Sequence, residues 1–160
     1  MAPPRPDRIQ QLFDQLYQHF DSHPHAKDFC SFCWSDEEVD YINTCPVREL
    51  SLDMAEKLLW EASDHWPNVE VYQYYLPRIL EALAPPEAID DLYPLHLFEV
   101  LKYHDFHSWQ EDGKQLVRQL CSALTATFTF ELEEDYHEWE SGLRFLNDPH
   151  FNLPIDNGES

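Results

Sequence analysis

Thirty-one acidic residues against ten basic ones give this 160-residue chain a formal net charge of −21, spread along its whole length. Self-repulsion on that scale keeps a chain expanded unless it can bury enough apolar surface. The 43% hydrophobic and 14% aromatic content supplies that surface. The chain must therefore fold as an apolar core wrapped in carboxylates. The same surplus excludes nucleic acid as a partner, because gripping phosphates takes clustered Lys and Arg, and the ten cations are scattered. A basic protein is the expected partner. Anionic lipid is repelled for the same reason, and no stretch approaches the roughly 20 apolar residues that cross a bilayer.

Three glycines against twelve prolines argue against sheets joined by tight Gly turns. The apolar residues instead recur at helical spacing. Ile9, Leu12, Phe13, Leu16, Tyr17 and Phe20 make one face of a first helix, which Pro24 stops. Ser35 followed by Asp36, Glu37 and Glu38 predicts a capped helix start, since a hydroxyl and early carboxylates satisfy free N–H groups and the dipole. Ser51 caps a third helix carrying Leu52, Ala55, Leu58, Leu59, Ala62 and Trp66. Between Val69 and Leu83 the spacing continues with Pro77 inside it, which predicts a kink or a fresh helix start there. Segments 86–92 and 94–104 read as two helices, with Leu95, Phe98 and Leu101 buried. A long helix from about Trp109 carries Leu116, Val117, Leu120, Leu124, Phe128 and Leu132, with a break expected over the strand-favouring residues 125–130. A last helix holds Tyr136, Trp139, Leu143 and Leu146, and Asn147-Asp148-Pro149 ends it. The fold class is all-α: a single-domain bundle of about seven antiparallel-packed helices over residues 1–151, followed by a mobile tail over 152–160.

The N-terminal Met1-Ala2-Pro3-Pro4-Arg5-Pro6 has no apolar run behind it, and four cysteines in a chain with a sizeable core do not read as a disulfide framework. A cytoplasmic location is expected. Cys30-Ser31-Phe32-Cys33 is the sharpest local motif, since two thiolates three apart in a loop can share one zinc ion. Cys45 would be the third ligand and His23 the fourth, with His19 and His25 as alternatives, and the zinc would be structural. The other reading makes these cysteines small buried apolar residues. Cys121 lies on the apolar stripe of its helix and belongs to the core.

Glu131, Glu133, Glu134, Asp135, Glu138 and Glu140 put six carboxylates into ten residues, and the next cation is Arg144. As a docking surface, Glu131, Glu134, Asp135 and Glu138 would steer a basic partner while Trp139 anchors it; as an ordinary charge run they face water. Glu134-Asp135-Tyr136-His137 also matches one copy of the Glu-x-x-His pattern of di-metal bundles, which needs two. His104-Asp105-Phe106-His107 reads as a helix end, where imidazolium meets the dipole.

Three segments, Cys30-Ser31-Phe32-Cys33, Pro46-Val47-Arg48-Glu49-Leu50 and Tyr74-Tyr75-Leu76-Pro77-Arg78-Ile79-Leu80-Glu81, resemble a family of uncharacterised bacterial helical proteins. That family carries a Cys-x-x-Cys pair, a Pro-Leu-Arg-Glu-Leu-like step and a His-Phe-Leu-Pro-Arg-x-Leu-Glu-like helix. Tyr74 stands where the family pattern has His. The resemblance covers less than half the chain and implies a bacterial helical domain.

Three functions follow. The leading expectation is a non-catalytic acidic interaction domain, such as an inhibitor or immunity protein docking on a basic nuclease. The second is a metal-dependent enzyme built on Glu134, His137 and further His or carboxylate groups, with no catalytic residue assigned. The third is an adaptor with a zinc-fastened Cys loop that binds a helix around Trp60, Trp66, Tyr72, Tyr74 and Tyr75.

Overall fold

A computed structural model describes residues 7–21, 35–61, 69–83, 94–127 and 133–154, with backbone alone for 61, 94, 127 and 133–135. Among these residues the chain is all helical, with no strand. Seven α-helices follow one another: α1 (Asp7–His19), α2 (Asp36–Thr44), α3 (Leu52–Glu61), α4 (Val69–Leu83), α5 (Pro94–Tyr103), α6 (Glu111–Thr127) and α7 (Glu133–Asn147). Short 3-10 turns at Val47–Glu49 and Phe106–Ser108 lie between them. The helices gather into two compact units, residues 1–92 and 93–160.

In the first unit α1 buries Ile9, Leu12, Phe13, Leu16 and Tyr17, the face its spacing predicts. α2 begins with a complete capping box: Ser35 Oγ accepts from Glu38 N at 3.1 Å, and Glu38 Oε1 accepts from Ser35 N at 2.9 Å. Ser51 Oγ accepts from Met54 N at 3.1 Å to start α3, which packs on α4. α4 also contacts α1 and the Val47–Glu49 turn. It runs without interruption from Val69 to Leu83, so Pro77 begins no new helix. Its neighbours explain the tolerance. Tyr75, Leu76, Ile79 and Leu80 are fully buried and Pro77 is buried among them, so packing offsets the lost N–H bond.

In the second unit α7 packs on both α5 and α6. α5 ends in a turn where Asp105 takes a left-handed conformation (φ 56°, ψ 48°), which an Asp tolerates better than a branched residue. Leu95, Phe98 and Leu101 are buried as their spacing predicts, with Phe106, Val117, Leu120, Leu124, Phe145 and Leu146. Leu116 and Leu143 are only half-buried. α6 runs on through Thr127, so the first part of the break expected over 125–130 does not occur, and Leu153, in the expected tail over 152–160, is buried. The expected helix over 86–92, residues 128–130 and the tail beyond residue 154 lie outside the described residues.

Gly142 on α7 lies hard against α5, since a Cβ there would come within 2.1–2.3 Å of three atoms of the Phe98 ring. Phe98 in turn meets Trp139 edge-on, with ring centroids 5.8 Å apart. Helix propensity alone makes Gly142→Ala stabilising by about 1 kcal/mol. Overpacking against Phe98 should reverse the sign and cost ~1–3 kcal/mol. Urea unfolding of Gly142→Ala measures the balance, and Phe98→Leu in the same chain should recover part of the loss.

Candidate functional site

Three segments of the first unit meet at a charged junction. Glu81, buried near the end of α4, accepts a hydrogen bond from the Tyr17 hydroxyl on α1. Arg78, one turn earlier, holds the same carboxylate at 2.9 Å and donates from Nε to the Leu50 carbonyl at 2.7 Å. A carboxylate nearly out of water is tolerable only with such a partner. Burial first, and the Glu81 charge second, push the Tyr17 phenol well above its ordinary range.

Above this junction a cavity of about 480 Å³ opens between α1 and the Val47–Glu49 turn. Buried Tyr17 and Tyr74 form its inner wall, while Asp14, Asp21, Arg48 and Glu49 are exposed at its mouth. Arg48 is held twice: its guanidinium lies 4.3 Å from the Tyr17 ring centroid, and one of its nitrogens meets Asp14 Oδ1 at 2.8 Å. The Arg48 hydrogen bond holds the Asp14 carboxyl below its usual range. Tyr74 meets the Val47 backbone, and burial, with help from Asp21 and Cys45, pushes its phenol up. No family model, curated protein or solved structure matches this chain.

The cavity joins two segments singled out in the sequence for their likeness to one family. Pro46, Val47, Arg48 and Glu49 supply one side and Tyr74 the other, with the Arg78–Leu50 bond locking them. Asp14 on α1 and Asp21 just beyond its end escaped the sequence reading, since single exposed acids on or beside an amphipathic helix look like any solvated face.

The residues marked for zinc are mostly beyond reach: Cys30, Cys33 and His23 lie outside the described residues. Cys45 is half-buried, and its thiol approaches the Pro46 carbonyl at 3.4 Å. Among the described residues no three His, Cys, Asp or Glu side chains gather as a metal-holding group. Glu131 is outside the description, as are the side chains of Glu134 and Asp135. Glu138 is half-buried. Trp139 is only 4% exposed, a core residue set against Phe98 and not a displayed anchor; Tyr136, at 39%, is the exposed aromatic of α7. His137 is exposed beside Glu140, 3.4 Å away. Tyr72, Tyr74 and Tyr75 are buried in the first core, whereas Trp60 is 41% exposed; Trp66 lies outside the described residues. Cys121 is fully buried, and burial pushes its thiol up to about 12, as a core cysteine requires.

Several of the described cations are spent on the fold. Lys57 pairs with Glu38 at 2.7 Å. In the second unit Arg118 donates to the Leu146 carbonyl at 2.7 Å and pairs with Glu111 at 3.1 Å. Lys114 donates to the His107 carbonyl at 3.1 Å, and the His107 ring donates from Nε2 to the Phe145 carbonyl at 2.9 Å. The last carbonyls of α7 are thus met by positive or polar donors, as the dipole favours. Burial, followed by the charges of Arg118 and Lys114 and opposed by the Phe145 bond, holds the His107 ring below the usual imidazole range.

The Tyr17 bond gives a pH test. A phenol whose folded-state ionisation lies above the ordinary value of 10.0 stabilises the fold fully below that pH, and the contribution drains away as pH rises beyond it. Tyr17→Phe should cost about 1–2 kcal/mol near neutrality. In urea titrations the gap between parent and variant should narrow above about pH 10; a constant gap would contradict the buried Tyr17–Glu81 bond.

Proposed function

We propose that this chain is a non-catalytic acidic interaction domain that docks on a basic protein, as an inhibitor or immunity protein covers the cationic groove of a nuclease. The observation that carries this reading is the division of labour between charges. Arg48, Lys57, Arg78, Lys114 and Arg118 are engaged with the chain's own carboxylates. Asp7, Asp21, Asp36, Glu37, Asp40, Glu49, Asp53, Glu70, Glu99, Asp112 and Glu140 are all exposed. A surface so biased attracts positively charged partners from a distance and repels anionic ones. Tyr136 adds an exposed ring beside the acidic run of α7, the kind of side chain that anchors an electrostatic encounter.

The bacterial origin implied by the family likeness suits that role, since toxic nucleases and their acidic antidotes pair through opposite charge. Among the described residues no helix is long and apolar enough to cross a membrane.

Immobilised chain should retain purified basic nucleases at about 50 mM salt and release them at about 500 mM, where screening shortens the reach of charge. Bound nuclease should lose activity. If no basic protein is retained at the lower salt, or if retention ignores ionic strength, the reading fails.

A further inference from the structure

We propose that the cavity between α1 and the Val47–Glu49 turn receives one arginine side chain of the basic partner. This inference rests on the docking function above and narrows it to one cavity of this chain and one residue of the partner. At about 480 Å³ the cavity is in the size range of small-ligand sites, roughly 300–1,000 Å³. It has room for a long side chain.

Its chemistry selects a cation. Asp14, Asp21 and Glu49 line it against a single cation, Arg48, and Arg48 is already committed to Asp14. Among the described residues no cation pairs with Asp21 or Glu49. An anion entering here would meet uncompensated like charge, whereas a cation would meet two carboxylates.

The wall selects a guanidinium over an ammonium. Arg48 shows that this wall holds one, with its planar group over the Tyr17 ring and its edge on a carboxylate. Asp21 and Glu49, both exposed, line the same cavity. They offer a second guanidinium acceptors for its forked donors, as Asp14 does for Arg48. A lysine carries the charge without the planar face or the forked donors, so it gains less at the same place.

Labelled hexa-arginine and hexa-lysine peptides, titrated into the full chain at about 50 mM salt, test this. The arginine peptide should bind more tightly than the lysine peptide. Val47→Trp, which fills the cavity at unchanged net charge, should weaken the arginine peptide about tenfold. The double variant Asp21→Asn/Glu49→Gln should weaken it by a similar factor. Glu99→Gln/Asp112→Asn, which removes two exposed carboxylates from the second unit, should weaken it less than about twofold. Circular dichroism establishes that each variant is folded, and the Asn/Gln double carries the test if the tryptophan variant is not. Equal weakening by the two double variants, or no preference for arginine over lysine, overturns the arginine site and leaves docking by diffuse charge standing. Failure of both peptides and of the basic nucleases to bind the parent chain removes the docking function and this site together.

Discussion

The Arg78 guanidinium does two jobs at one point of the fold. It neutralises Glu81 at 2.9 Å and ties the Leu50 carbonyl at 2.7 Å. Glu81 in turn receives the Tyr17 hydroxyl from α1. α1, α4 and the segment leading into α3 are thus held to one charge pair whose carboxylate is buried. Removing Arg78 would strand the buried Glu81 carboxylate, which typically costs about 3–5 kcal/mol. The cavity depends on the same arrangement, because Tyr17 and the Val47–Glu49 turn are both positioned by it.

The second unit solves a similar problem with the same scarce resource. Arg118 and Lys114 on α6 reach the Leu146 and His107 carbonyls, and the His107 ring reaches the Phe145 carbonyl. Close packing sets the spacing of α5 on α7, where the small Gly142 admits the Phe98 ring. In both units cations serve as internal fasteners. Many exposed carboxylates are left without such a fastener, and the surface takes its sign from them.

Much of this architecture was legible in the order of residues because helices report themselves through spacing and caps. Ser35 and Ser51 begin helices where a hydroxyl precedes an amphipathic run, and Asn147 ends one. Of the two outcomes expected at Pro77, the fresh helix start does not occur, because tertiary packing outweighs the local rule: the buried Tyr75, Leu76, Ile79 and Leu80 hold α4 together. Trp139 misled in a different way. Alternating with acids on α7, it looked like a surface anchor, yet Phe98 lies against it. The cavity could not be read at all as a unit, since Asp14, Arg48 and Tyr74 are far apart along the chain and meet only after α1, the turn and α4 have packed.

The central claim is that the carboxylates left over after the internal pairs are satisfied repel one another across an exposed surface. The melting temperature as a function of sodium chloride tests it most directly, at pH 7 and between about 20 and 300 mM, where the screening length falls severalfold. Uncompensated repulsion predicts a melting temperature that rises steadily as salt is added. A melting temperature that falls with salt would show that attractive ion pairs dominate the surface, and the account would be wrong.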